Sequence, residues 1–225
     1  MNDKNIIIIL IIVAIIAVAG FIFAFGLFDG NENMETTPFK TDFMEGSFVG
    51  NVTLENDKEK FMHSYEDKKH KITYNISTID NSSALMEIYE LQGVTNPEQR
   101  NFNGNDWNIY FTKAVPTTNS TNNSDDNSDN NNSMNIIICE SQAKKQGYLI
   151  YIIIDGSSDI NSTNIYGESY TDYVEPLLKS IVLKESKNVP RIHEEFGLTK
   201  EQFKHQIELV REYKSGNASA LQGNQ

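Results

Sequence analysis

Apolar and polar positions follow three patterns along this chain. The first is residues 6–28, "IIIILIIVAIIAVAGFIFAFGLF", 23 positions without a charged or strongly polar side chain. As a helix this run would reach roughly 34 Å, enough to cross a hydrocarbon core of about 30 Å. We read it as a transmembrane anchor. A leader cut after Ala17-Val18-Ala19 is one alternative, but it would leave "GFIFAFGLF" as an exposed apolar terminus. A buried core helix is the other.

The second pattern is alternation. In "KITYNIST" (71–78), Ile72, Tyr74 and Ile76 share one face, while Thr73, Asn75 and Ser77 share the other. "SFVGNVTL" (47–54) and "WNIYFTKA" (107–114) also read as strands. "NIIICES" (135–141) and "YLIYIIID" (148–155) are almost continuously apolar and form a predicted hairpin central in a sheet. "ALMEIYEL" (84–91) fits helix or strand, and its neighbours favour strand. "ENDKEKFMHSYEDKKH" (55–70) reads as charged and turn-rich, and "QGVTNPEQRNFNGND" (92–106) as a loop.

The third pattern is helical spacing. In "YGESYTDYVEPLLKSIV" (166–182), Tyr170, Tyr173, Val174, Leu177, Leu178 and Ile181 recur at helical intervals, and Pro176 predicts a boundary near Glu175. "SIVLKE" then reads as one last strand. Beyond Pro190, Thr199 and Gln202 form a capping box, with Leu198 and Phe203 as its staple. Phe203, Ile207, Val210 and Tyr213 line one face of that helix, which predicts packing on its own domain or on another chain.

Polar stretches divide the rest. The expected organisation is a short cytoplasmic N-terminus (1–5), the anchor (6–28), a flexible stalk (29–42), an α+β ectodomain (43–185), a C-terminal helical segment (186–214) and a disordered tail (215–225). Within the ectodomain, "PTTNSTNNSDDNSDNNNS" (116–133) has no apolar residue beyond its Pro and reads as a disordered insert. The fold class expected is α+β: an N-terminal transmembrane helix, then a mainly antiparallel sheet packed with one or two helices.

Charge adds an orientation. All the charged residues except Asp3 and Lys4 follow Phe28, so the formal charge of −12 belongs to the outer part. Lys4 before the run and Asp29, Glu32 and Glu35 after it place the N-terminus inside and the remainder outside. An acidic surface repels nucleic acid and anionic lipid, so no nucleic-acid partner is expected.

The candidate chemistry is sparse. The single cysteine, Cys139, sits in an apolar strand and reads as a buried thiol. His63 and His70 sit in charged sequence and read as solvated, while "HEEFG" at 193–197 lacks the second histidine of a zinc-protease helix. Asp125, Asn127 and Asp129 begin like a calcium loop, but Asn130 and Ile136 occupy its glycine and glutamate positions. No P-loop, dinucleotide fingerprint or nucleophile elbow is present. We therefore expect no catalytic, cofactor-binding or metal-binding residues. The site residues that do stand out are acceptor sequons for N-glycosylation, at Asn51, Asn75, Asn81, Asn119, Asn122, Asn131, Asn161 and Asn217.

An anchor, a polar stalk, an antiparallel sheet and a closing "YGESYTDYVEPLLKSIVLKE" together resemble the small surface proteins of methanogenic archaea. Within that group, a helix ending in "LLKSIVL" before a short last strand resembles the PsbP/Mog1-type α+β sandwich, over about residues 43–185. The Asn-rich insert and the C-terminal helix depart from that compact pattern. The resemblance implies a binding or assembly accessory rather than an enzyme. The expected function is a membrane-tethered extracytoplasmic domain for binding or envelope assembly, with the membrane and an envelope protein or glycan as partners. The alternatives are a pilin-like filament subunit, which the lack of a small residue before Ile6 disfavours, and a tethered envelope enzyme.

Overall fold

The computed structural model describes residues 35–90, 93–114 and 133–215. The apolar run, the stalk up to residue 34, the insert apart from Ser133, the tail beyond Ser215 and the side chains of Asp57, Lys58 and Tyr213 lie outside the described residues. So do the sequons at Asn119, Asn122, Asn131 and Asn217, and the calcium-like positions. Among the described residues no helix is long and apolar enough to cross a membrane.

The described chain is an α+β fold with two antiparallel sheets. A seven-stranded sheet has the order β3-β4-β5-β9-β8-β7-β6, and a three-stranded sheet the order β1-β2-β10. The elements are β1 (Thr36–Lys40), β2 (Met44–Val49), β3 (Thr53–Glu59), β4 (Met62–Asp67), β5 (Ile72–Ile79), α1 (Ser82–Glu90), β6 (Glu98–Phe102), β7 (Asn105–Ala114), β8 (Met134–Ala143) and β9 (Gln146–Asp155). A π-helical turn (Ser169–Val174) follows, then α2 (Glu175–Ser180), β10 (Val182–Leu183), α3 (Ile192–Glu195) and α4 (Lys200–Lys214).

The apolar alternation dictates the centre. Ile72, Tyr74 and Ile76 are fully buried and pair through the register with Ile154, Ile152 and Ile150. Cys139 faces Ile150, and Ile137 faces Ile152. This face packs against the small sheet and the π-helical turn. Phe48 of β2 lies 4.9 Å from the ring of Tyr65 and 4.7 Å from that of Tyr74, which joins the two sheets through one aromatic cluster. The β8–β9 hairpin closes on Lys144 and Lys145, whose φ angles of 49° and 64° match the tight two-residue turn that suits strand twist.

Several expectations change. Thr36–Lys40, placed in the stalk, is strand β1: it lies at a sheet edge, where Pro38 needs no donor, and only Phe39 is buried. The charged stretch after Thr53 is the β3–β4 hairpin, and the loop after Gln92 contains β6. Both β3 and β6 are sheet edges, and an edge rich in charge resists pairing with other chains. The strand expected at 47–54 is broken at Gly50 into the end of β2 and the start of β3. "ALMEIYEL" is helix α1: Asn81 caps it by accepting the Ala84 N–H at 3.0 Å, and Ala84, Leu85 and Ile88 are buried. The boundary at Pro176 falls where expected, between the π-helical turn and α2, and β10 is the last strand. The capping box forms as expected: Thr199 N–H donates to Gln202 at 2.9 Å, and Gln202 N–H to the Thr199 hydroxyl at 3.2 Å.

Helix α4 docks on its own domain. Phe203 and Ile207 are buried, and Phe203 stacks on Phe196 at 5.8 Å. Arg211 makes a bidentate pair with Glu87 of α1 at 2.6 and 2.7 Å, and Lys214 pairs with Glu90.

Candidate functional site at one end of the sandwich

At one end of the large sheet, four connections come together. They are the link from β2 to β3, the β4–β5 turn, the chain leaving β9, and the two ends, Ala114 and Met134, of the β7–β8 connection. The chain enters β1 there as well, because Gly50 donates its N–H to the Glu35 carbonyl at 2.6 Å.

Asp67 organises this end. It is completely buried at the last position of β4. Its Oδ1 accepts the His70 N–H at 3.1 Å, and its Oδ2 lies 2.7 Å from His70 Nδ1. The carboxylate thus braces the tight turn into β5 and fixes the imidazole plane. Gly50 presses on it from the other side: a Cβ there would stand 2.4 Å from Oδ2, and the φ of +99° favours glycine in any case. Tyr173 of the π-helical turn packs on His70 with ring centroids 5.2 Å apart. Burial first, then the nearby Asp67, Asp172 and Asp159, pushes the Tyr173 phenol up to about 12. The wholly buried Tyr74 phenol is raised well above its usual value by burial and then by Asp67, and its hydroxyl has no hydrogen-bond partner among the described residues.

A buried carboxylate holding a histidine resembles half of a nucleophile–base arrangement. The neighbouring hydroxyl does not complete it, since Ser158 donates instead to the His70 backbone carbonyl at 2.9 Å. Cys139 is fully buried, and burial pushes its thiol well up, the opposite of an activated nucleophile. Among the described residues no group of three or more His, Cys, Asp or Glu is placed to hold a metal. The observed role of Asp67 and His70 is to pin the loops together. The sequence reading took His70 as solvated, and likewise His63, whose ring stacks on Phe43 at 5.8 Å. An aspartate three residues before a histidine at a strand end is the signal that could have revealed the first pair.

The same end carries two of the sequons. Asn51 is exposed in the link after Gly50. Asn161 is exposed in the loop after β9, where its backbone carbonyl accepts Asn135 Nδ2. Contacts run continuously between them: Gly50 against Asp67, Asp67 to His70, His70 to Ser158, and Ser158 Oγ accepting the Ile160 N–H at 3.2 Å. Asn75 and Asn81 lie elsewhere. Asn75 is half-buried in mid-strand between Ser64 of β4 and Tyr151 of β9. Asn81 is at the opposite end of the sheet, engaged as the cap of α1.

A second buried carboxylate lies on the other face of the sheet, beneath α1. Glu140 is 1% exposed; Ser82 donates to its Oε1 at 2.5 Å, and Asn108 to its Oε2 at 2.7 Å. These neutral donors satisfy it and seat the N-terminus of α1 on β8. Trp107 is a core side chain at 1% exposure.

No protein-family model and no curated protein matches the chain. Among solved structures it is similar to a crystal structure of a protein from Bacteroides thetaiotaomicron, with 5% identity and a TM-score of 0.39, over 64% of this chain and 46% of that one. The chain therefore spans less than half the length of that protein, and a likeness of this size carries no argument about function.

Proposed function

We propose that this chain is a single-pass membrane protein that presents an extracytoplasmic α+β domain for binding or envelope assembly. One observation carries the reading: 23 consecutive residues without charge, at 6–28, precede a folded domain that begins at Thr36. The strand at β1 shortens the expected stalk to residues 29–35, seven residues that reach at most about 25 Å when fully extended.

The way a partner would be met follows from the edges. Strand addition requires an open, regular edge. One edge of the small sheet, β1, carries Pro38, the other, β10, is only two residues long, and β3 is charged with register shifts between Leu54 and Asn56 and between Asn56 and Glu59. Strand β6 is short and exposed, with Glu98 and Arg100. Faces and loops are left as contact surfaces. The likeness to a PsbP/Mog1-type accessory belongs to this same proposal.

Cell fractionation tests it. The full-length chain should sediment with membranes and resist carbonate extraction, and external protease should digest the domain in intact cells. Deleting residues 6–28 should move the protein to the soluble fraction. Retention of the deleted form in membranes would refute the anchor. Cross-linking in intact cells, read by mass spectrometry, would then identify the envelope component.

A further inference from the structure

We propose that the folded domain is built to accept N-linked glycans at Asn51 and Asn161, and that its fold withholds Asn75 and Asn81. The chemistry is a group transfer. The side-chain amide nitrogen of asparagine attacks C1 of a sugar carried on a lipid-linked oligosaccharide donor. The C1–Nδ2 bond forms, the C1–oxygen bond to the lipid phosphate breaks, the amide loses one proton to a base of the transferase, and the lipid phosphate leaves. The transferase must hold the asparagine amide and the hydroxyl two residues later at once. The acceptor stretch must therefore lie at the surface and be free to enter a cleft.

The four described sequons differ in that respect. Asn51 is exposed in a link between strands, and Thr53, two positions on, is exposed as the first residue of the edge strand β3, with its hydroxyl donating to Glu55 at 2.9 Å and to the Glu66 carbonyl at 3.4 Å. Asn161 is exposed in an irregular loop, with the half-buried Thr163 two positions on. Asn75 sits in a strand paired on both sides, with Ser64 on one neighbour and Tyr151 on the other. Drawing it into a cleft would require β5 to leave the centre of the sheet. Asn81 is exposed, but its Oδ1 is occupied by the Ala84 N–H, and its Ser83 hydroxyl turns inward to Glu140 at 3.4 Å.

The two accessible acceptors do not lie at random. The contacts through Asp67, His70 and Ser158 fix them to one end of the sandwich, the end where the chain enters β1. Glycans there would form a collar around the point of attachment and leave α1, α4 and the Lys144–Lys145 hairpin bare. The collar rests on the proposed extracytoplasmic setting, but selection among acceptors rests on the fold alone and can be tested apart from it.

The test uses the purified, unglycosylated full-length chain in detergent, an oligosaccharyltransferase and a lipid-linked oligosaccharide. Glycopeptides are then mapped by mass spectrometry. The expected result is transfer to Asn51 and Asn161 at least tenfold above Asn75 and Asn81, with N51Q and N161Q each removing one addition. The same chain unfolded in urea and diluted into the reaction should become modified at Asn75 and Asn81 too. Equal modification of Asn75 in the folded chain, or bare Asn51 and Asn161 when the unfolded chain is a substrate, would overturn the proposal. Protease protection in cells separately reports whether the domain is outside.

Discussion

Replacing Gly147 with alanine probes how closely α1 is seated on the sheet. Gly147 is in β9, opposite Ile79 of β5. A Cβ built there would lie 2.3 Å from both Cβ and Oγ of Ser82, and 2.5 Å from the Ser82 backbone nitrogen. The last contact is decisive, because a rotamer change at Ser82 cannot relieve a clash with backbone. The N-terminus of α1 must lift, and with it goes the 2.5 Å bond from Ser82 to the buried Glu140. Overpacking costs about 1–3 kcal/mol, and loosening a hydrogen bond to a buried charged group about 1.5–3 kcal/mol. Against this, Ala restricts the unfolded chain more than Gly and returns about 0.4–1 kcal/mol. The net is about 1.5–5.6 kcal/mol of destabilisation, which for a domain of this size lowers Tm by roughly 3–22 °C. Circular dichroism melts of the full-length chain in detergent, G147A beside the parent, measure it. A Tm within 2 °C of the parent would show that α1 does not bear on β9 in this way.

Three further outcomes are expected. K145G should stabilise the β8–β9 hairpin by about 1 kcal/mol, since a φ of 64° is strained for lysine and free for glycine, and a rise in urea midpoint at constant slope would register it. D67A should cost about 2–3 kcal/mol by orphaning the His70 N–H and ring nitrogen, and should broaden the His70 imidazole signal in NMR; an unchanged melt would show that the brace is dispensable. Burial, then Glu55, raises the Glu66 carboxyl above its ordinary range. A raised acid favours folding while protonated and loses that advantage as pH climbs through its folded value. E66Q should therefore melt higher than the parent at pH 7 and lose its advantage near pH 3, where both side chains are neutral; the reverse order would contradict the burial argument.

The sequence announces whatever is buried with a period. Ile72, Tyr74 and Ile76 show their strand because one side of it meets the core, and the run from Ile136 to Cys139 shows its place because that strand is central. The edges stay silent for the opposite reason. The described side chains of β3 and β6 bury almost nothing, so these strands look the same in sequence as loops. Helix α1 was misread although its cap, Asn81, and its spacing of Ala84, Leu85 and Ile88 were visible, because a nine-residue element carries little pattern to set against its strand-like neighbours. The eight sequons were legible as letters, but which of them are free depends on pairing between Asn75 and distant strands, and on the inward turn of Ser83. The Asp67–His70 brace needed the turn itself.

The Arg211–Glu87 pair has a consequence in time. Its two ends are 124 residues apart, and Arg211 lies close to the last described residue. At about 5–20 residues per second, synthesis separates them by roughly 6–25 s. Throughout that interval the outer side of α1 lacks this clasp, and β2 waits slightly longer for Ser180, 133 residues away from Ser47. Among the described residues, these contacts join elements far apart in order of synthesis. A nascent chain of this design therefore leaves α1 and β2 without these contacts until residues 180 and 211 have been made.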